Sequence, residues 1–126
     1  MPLVRVSLRR GKPAAHRKAV LDGIYRAMRS AFDVPEEDRF MLMCEHDEAD
    51  VSYSNTYLGI ARTDDLVIIQ ITANNTRTVE QKRALFRQIV ENLKADPGVR
   101  TEDVFINLVE VVKENWSFGD GVAQYA

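Results

Sequence analysis

Val4, Val6 and Leu8 alternate with Arg5 and Ser7, so the segment from Leu3 to Leu8 reads as a strand with one buried face. The period then changes. Pro13 suits the opening turn of a helix, and Val20, Ile24, Ala27, Met28, Ala31 and Phe32 form one apolar face at 3.6 residues per turn. Asp33-Val34-Pro35 stops that helix, and the second strand is predicted from Phe40 to Glu45, over the apolar run Phe40 to Cys44. A third strand is predicted from Leu66 to Thr72, followed by Thr78 and Gln81 at capping-box spacing. The second helix should run to about Lys94, burying Leu85, Phe86, Ile89, Val90 and Leu93. Asp96-Pro97-Gly98 then turns the chain into a strand from Val104 to Val112.

The same order of elements occurs twice, and sliding the chain against itself by 65 positions aligns the halves. Val34, Glu37, Asp38, Phe40 and Glu45 fall on Val99, Glu102, Asp103, Phe105 and Glu110. Leu3, Val4 and Val6 fall on Ile68, Ile69 and Ile71, and Val20, Ile24 and Met28 on Leu85, Ile89 and Leu93. The reading is a single α/β (α+β) domain over residues 1–126, with pseudo-repeats at about 2–46 and 67–111. Two βαβ units should give one four-stranded sheet with both helices on one face. The other face is expected to be apolar and in need of cover. A trimer would supply it by closing three sheets into a barrel-like core and protecting the strand edges.

Composition narrows the class without changing the plan. A chain of 126 residues that is 45% hydrophobic can bury one real core. It has no apolar run long enough to span a membrane and none resembling a signal peptide at its start, so a cytoplasmic location is expected. The single Cys44 excludes an internal disulfide and reads as core packing. A net charge of −2 argues against nucleic acid as a partner. Charge is nonetheless uneven. Residues 1–29 hold eight Arg or Lys against Asp22, and residues 33–65 hold ten acids against Arg39 and Arg62. Complementary surfaces, within the fold or between subunits, explain such a split.

The candidate chemistry sits at the start of the chain. Removal of Met1 would turn Pro2 into a secondary amine, able to act as base, acid or nucleophile, and fixed at the head of a strand. Its counterpart Val67 is internal and has no free amine, so only the first half can carry this chemistry. Ala73-Asn74-Asn75-Thr76-Arg77 forms a polar turn between a strand and a helix, where free N–H groups and an arginine favour a carboxylate. Arg77 and Pro2 are expected to share a pocket; the other reading of Arg77 is a solvated surface residue. Asp38 reads as a turn cap within Pro35-Glu36-Glu37-Asp38, as its counterpart Asp103 suggests. Trp116 and Phe118 either pack or wall a pocket. His16 and His46 are too scattered for a metal site, and Glu45-His46-Asp47-Glu48 reads as a solvated acidic loop.

With these residues in place, the chain resembles the tautomerase superfamily, and within it the malonate semialdehyde decarboxylase group. The resemblance covers the whole length and rests on Met1-Pro2-Leu3, the stretch from Asp33 to Phe40, Glu45-His46, Leu58-Gly59-Ile60-Ala61-Arg62-Thr63, and Trp116-Ser117-Phe118-Gly119. It implies a homotrimer that uses no metal or organic cofactor and acts on a small carboxylate substrate. It also implies that Pro2 is the catalytic amine, Asp38 its carboxylate and Arg77 the substrate-binding arginine. Asn74, Trp116 and Phe118 are expected to contact substrate. The decarboxylases of that group carry two arginines spaced Arg-x-Arg after the second-half strand, whereas this chain offers Arg77 with Asn74 and Asn75. Tautomerisation, decarboxylation and hydration are all implied activities. A binding or signalling protein on the same scaffold is the alternative from another class.

Overall fold

A computed structural model describes all 126 residues. The chain runs β1 (Leu3–Arg9), α1 (Ala14–Phe32), β2 (Met41–His46), β3 (Val67–Asn74), α2 (Val79–Ala95) and β4 (Val104–Val111). The strands form one sheet in the order β2-β1-β3-β4. β1 pairs parallel with β2 and β3 parallel with β4, while the central β1–β3 pairing is antiparallel. Each parallel pair is a βαβ crossover, as strand-helix-strand order with helices on one face requires. β3 runs further than its apolar pattern predicts, because Ala73 and Asn74 continue the ladder opposite Glu110 and Val111.

Register shows the relation between the halves. Leu3 faces Thr72 and Ser7 faces Ile68, on either side of Arg5 facing Gln70, so a pseudo-twofold axis passes through that central pair. Local hydrogen bonds repeat accordingly. Val34 N–H donates to Met28 O as Val99 N–H does to Leu93 O, and Arg10 N–H donates to His46 O as Asn75 N–H does to Val111 O.

One face of the sheet carries the core. Val4, Val6, Val67, Ile69 and Ile71 meet Ile24, Met28, Leu85, Ile89 and Leu93 in a layer closed to solvent. The helices touch closely at Gly23, where an added Cβ would lie 2.9 Å from a Leu93 methyl. α2 begins with the expected capping box, Thr78 Oγ1 accepting from Gln81 N–H and the Gln81 side chain accepting from Thr78 N–H. α1 ends at Asp33, whose φ of 53° turns the chain sharply enough for its N–H to reach Met28 O.

The opposite face differs from the expectation of an apolar surface. Leu42, Arg5, Gln70 and Asn107 form one rung across it, and Cys44, Ser7, Ile68 and Phe105 form the next. It is therefore amphipathic, with Leu42 and Phe105 about half exposed. Cys44 is on this face and half-buried, not in the core, because the strand period points it away from the helices. The uneven charge finds its complement within the fold. Arg9 pairs with Asp64 and Glu48, Arg10 with Asp47, Lys12 with Asp65, Arg17 with Glu45, and Arg39 with Asp22. The acidic stretch after β2 is accordingly a short 3-10 turn, Glu48–Asp50, pinned by arginines and not a free loop.

Leu93 packs against α1 with no exposure. Leu93→Ala is expected to destabilise the fold by about 3 kcal/mol through lost burial and a residual cavity. Urea unfolding of the two proteins measures this directly, and a loss below about 1 kcal/mol would show that the helix interface is not closely packed.

Candidate active site

β1 brings the chain start to the end of the sheet where β3 finishes, because the two strands are antiparallel. Pro2 is buried there. A cleft of about 210 Å³ opens beside it, lined by Met1, Pro2, Leu3, Phe40, Trp116, Ser117 and Phe118. Trp116 and Phe118 stack with ring centroids 5.5 Å apart, and Tyr125 meets Phe118 edge-on at 5.0 Å. The C-terminal segment thus forms one wall. Its placement depends on Asn74, whose Oδ1 accepts a 2.7 Å hydrogen bond from Trp116 Nε1. Asn74 is nearly buried, at 6% exposure, so its carbonyl end faces the tryptophan and not the cleft.

The Met1 α-amine lies 3.7 Å from Asp38 Oδ2. Burial pushes this amine below its ordinary value, the Asp38 charge pulls it back up, and Arg77 and Lys113 push it down. Burial raises the Asp38 carboxyl, against the opposing pull of the amine and Arg77. Asp38 Oδ1 is buried with no hydrogen-bond partner. A buried carboxylate oxygen without a donor is costly, and a catalytic role is one of the reasons such a group is retained.

Arg77 does not line the cleft, contrary to the shared pocket expected from sequence. Its guanidinium stacks over Phe32 at 4.7 Å and donates to Phe32 O at 2.9 Å, which holds it at the end of α1. From there its charge reaches both the amine and Asp38. Pro2, Trp116 and Phe118 therefore line one opening, Asp38 meets the terminal amine beside it, Arg77 acts on both as a fixed charge held on Phe32, and Asn74 supports the wall. Phe40, Ser117 and Lys113 were not singled out in the sequence. Phe40 belonged to a strand pattern and Lys113 to a charged tail, so neither carried a local signal.

The other half shows what Asp38 lacks. Its counterpart Asp103 is fully buried and accepts from Thr63 N–H at 2.7 Å, Thr63 Oγ1 at 2.6 Å and an Arg100 guanidinium N–H at 3.3 Å. There the chain runs on through residues 63–66, and its own backbone supplies the donors. In the first half the Met1 α-amine is the group that faces the matching carboxylate, 3.7 Å from Asp38 Oδ2. The same turn geometry, Asp38 N–H to Pro35 O and Asp103 N–H to Arg100 O, thus presents one structural carboxylate and one free one.

Two outcomes follow from this asymmetry. Asp103→Ala is expected to cost about 2 kcal/mol of stability, since it strips buried donors of a charged acceptor, whereas Asp38→Asn should leave stability within about 0.5 kcal/mol. Thermal or urea unfolding compares them. In an NMR pH titration the terminal amine should titrate lower in Asp38→Asn than in the parent and higher in Arg77→Ala, because the first removes a stabilising anion and the second a repelling cation. The same signs are expected for the Pro2 amine after Met1 removal, with the same two charges flanking it.

A family profile described as "Tautomerase enzyme" matches residues 38–119. The chain is 39% identical over 124 residues to the probable tautomerase YusQ of Bacillus subtilis (strain 168), covering 98% of each protein. Among solved structures, a malonate semialdehyde decarboxylase with decarboxylase and hydratase activities superposes with a TM-score of 0.92 at 32% identity, over 98% of this chain and 95% of that one. A malonate semialdehyde decarboxylase inhibited by 3-bromopropiolate gives 0.91 at 36% identity, over 98% and 93%. A fused 4-OT symmetric trimer, at 23% identity and a TM-score of 0.80 over 98% and 97%, shares the fold. No helix of the chain is long and apolar enough to cross a membrane. With likeness sustained along nearly the full length of both partners, in sequence as well as in fold, the protein belongs to the tautomerase family.

Proposed function

We propose that the protein is an N-terminal-proline enzyme acting on a short keto or unsaturated carboxylic acid, with Pro2, freed by removal of Met1, as its catalytic amine. The observation that carries this reading is the terminal amine 3.7 Å from the half-buried Asp38 carboxylate, which has an oxygen left unpaired, beside an open cleft. Similarity to malonate semialdehyde decarboxylases on both sequence and fold supports the substrate class.

The chemistry divides on the charge of the amine. As a neutral base, Pro2 takes a proton from the carbon next to the substrate carbonyl, and the electron pair moves onto the carbonyl oxygen. Returning that proton to the oxygen gives the enol, which completes a tautomerisation. As a cation, it donates a hydrogen bond to the carbonyl of a 3-oxo acid. The bond to the carboxylate carbon then breaks, carbon dioxide leaves, and its electron pair forms an enolate that is reprotonated on carbon. Burial and Arg77 favour the first state and Asp38 the second. Asp38, with a free oxygen, also suits orienting a water for addition to an unsaturated acid. Arg77 serves as the fixed positive charge for the substrate carboxylate, Trp116 and Phe118 as the apolar wall, and Asn74 as the group that orients Trp116. Three copies associating through the amphipathic sheet face as a homotrimer would bury Leu42 and Phe105 without a membrane or nucleic acid partner.

A proton NMR time course with malonate semialdehyde tests the reading on protein whose intact mass shows Met1 removed. Acetaldehyde or an enol-derived product is expected from the parent, with Pro2→Ala slower by about 100-fold or more. Equal rates for parent and Pro2→Ala would overturn the catalytic assignment. Retained ligand binding with no Pro2-dependent turnover on any short keto acid would favour a binding protein on this scaffold.

A further inference from the structure

The pseudo-twofold relation offers a way to see where side chains at the cleft reach, because each has a counterpart in the other half. The 3-10 turn Glu48–Asp50 that follows β2 corresponds to the 3-10 turn Lys113–Asn115 that follows β4, 65 residues on. The two turns close alike, Val51 N–H donating to Glu48 O and Trp116 N–H to Lys113 O, both at 3.4 Å. Arg9 at the end of β1 corresponds in the same way to Asn74 at the end of β3. In the first of these settings the long side chain of the turn crosses to the strand end, Glu48 Oε1 lying 3.4 Å from the Arg9 guanidinium. Position 113 stands at the matching place in the second half: Lys113 O accepts from the N–H of Trp116, which bonds Asn74 and lines the Pro2 cleft.

Charge is distributed differently at the two places. At the β1 end, Arg9 and Lys12 are the cations, and the chain's own Glu48, Asp64 and Asp65 neutralise them. At the β3 end, Arg77 stands where Lys12 does, Asn74 replaces the cationic Arg9, and Lys113 replaces the anionic Glu48. A positive charge has in effect moved from the strand to the turn, and no acid of the chain meets it. Lys113 is exposed and forms none of the salt bridges found in the protein. Its field nonetheless reaches the terminal amine, which it pushes toward the neutral form together with Arg77. Two cations from separate elements thus act on one cleft with Asp38 as the only opposing charge acting on that amine.

We propose that Lys113 is a second carboxylate-binding and specificity-determining residue of the Pro2 site, extending over Asn74 to hold, with Arg77, the acid end of the substrate. The proposal rests on the reading that this site takes a small carboxylate, and it adds the residue that supplies the second positive charge. Because the ammonium sits on an exposed turn, its contribution is a screened, point-charge attraction and not a geometric fork.

The experiment is an NMR titration with 3-hydroxypropanoate, an unreactive short monocarboxylate, on the full-length Met1-processed protein and its Lys113→Met and Lys113→Arg variants. Lys113→Met is expected to weaken binding about fivefold at low salt, the size of one partly exposed charge contact. Lys113→Arg should restore binding, and the difference should shrink in about 0.5 M salt. The terminal amine should titrate higher in Lys113→Met, a change that a purely structural role would not produce. Pro2→Ala serves in the turnover assay alone, which separates this inference from the catalytic one. Binding through Lys113 without Pro2-dependent turnover keeps the inference and removes the proposed chemistry. An unchanged affinity in Lys113→Met, or no binding of the probe by the parent, overturns it.

Discussion

The antiparallel pairing of β1 with β3 is the constraint on which the structure depends. Each βαβ half closes its own parallel pair locally, but only the ladder from Leu3 opposite Thr72 to Ser7 opposite Ile68 joins the two in one sheet. It fixes both helices on the same face, where Gly23 allows α1 to approach Leu93. It also sets the start of the chain beside the end of β3. Without that registration Pro2 would stand apart from Asn74, Arg77 and Trp116, which belong to the second half.

Duplication then makes the site legible through its differences. Matching turns carry Asp38 and Asp103, but one is closed by the backbone and hydroxyl of Thr63 and the other faces an amine with an oxygen free. A buried acid satisfied by its surroundings contributes to stability. One left short of donors is available for chemistry. The physical cause is the partner each turn meets, since Thr63 closes on Asp103 whereas the Met1 amine faces Asp38.

Electrostatics follow the same division. Half of the arginines and lysines of the first 29 residues, Arg9, Arg10, Lys12 and Arg17, pair with acids from the middle of the chain, which offsets the uneven charge of the sequence within the fold. The exposed pairs among them contribute little each. Their effect is to leave Arg77 and Lys113, in the second half, as the positive charges acting on the amine.

The sequence by itself determined the six main elements, their duplicated order and the face of each helix that packs, because periods of 2 and 3.6 are local properties. It also pointed to Pro2 through its terminal position, and to Asp38 through the resemblance to the tautomerase superfamily. Only the tertiary structure decided that the second face of the sheet is amphipathic, that Cys44 lies on it, and that Arg77 acts from behind the cleft, stacked on Phe32. It alone brought Phe40, Ser117 and Lys113 to the site and set Asn74 to hold Trp116. These are relations between residues dozens of positions apart. Strand register and side-chain reach fix them, and neither leaves a mark on a local pattern of apolar and polar positions.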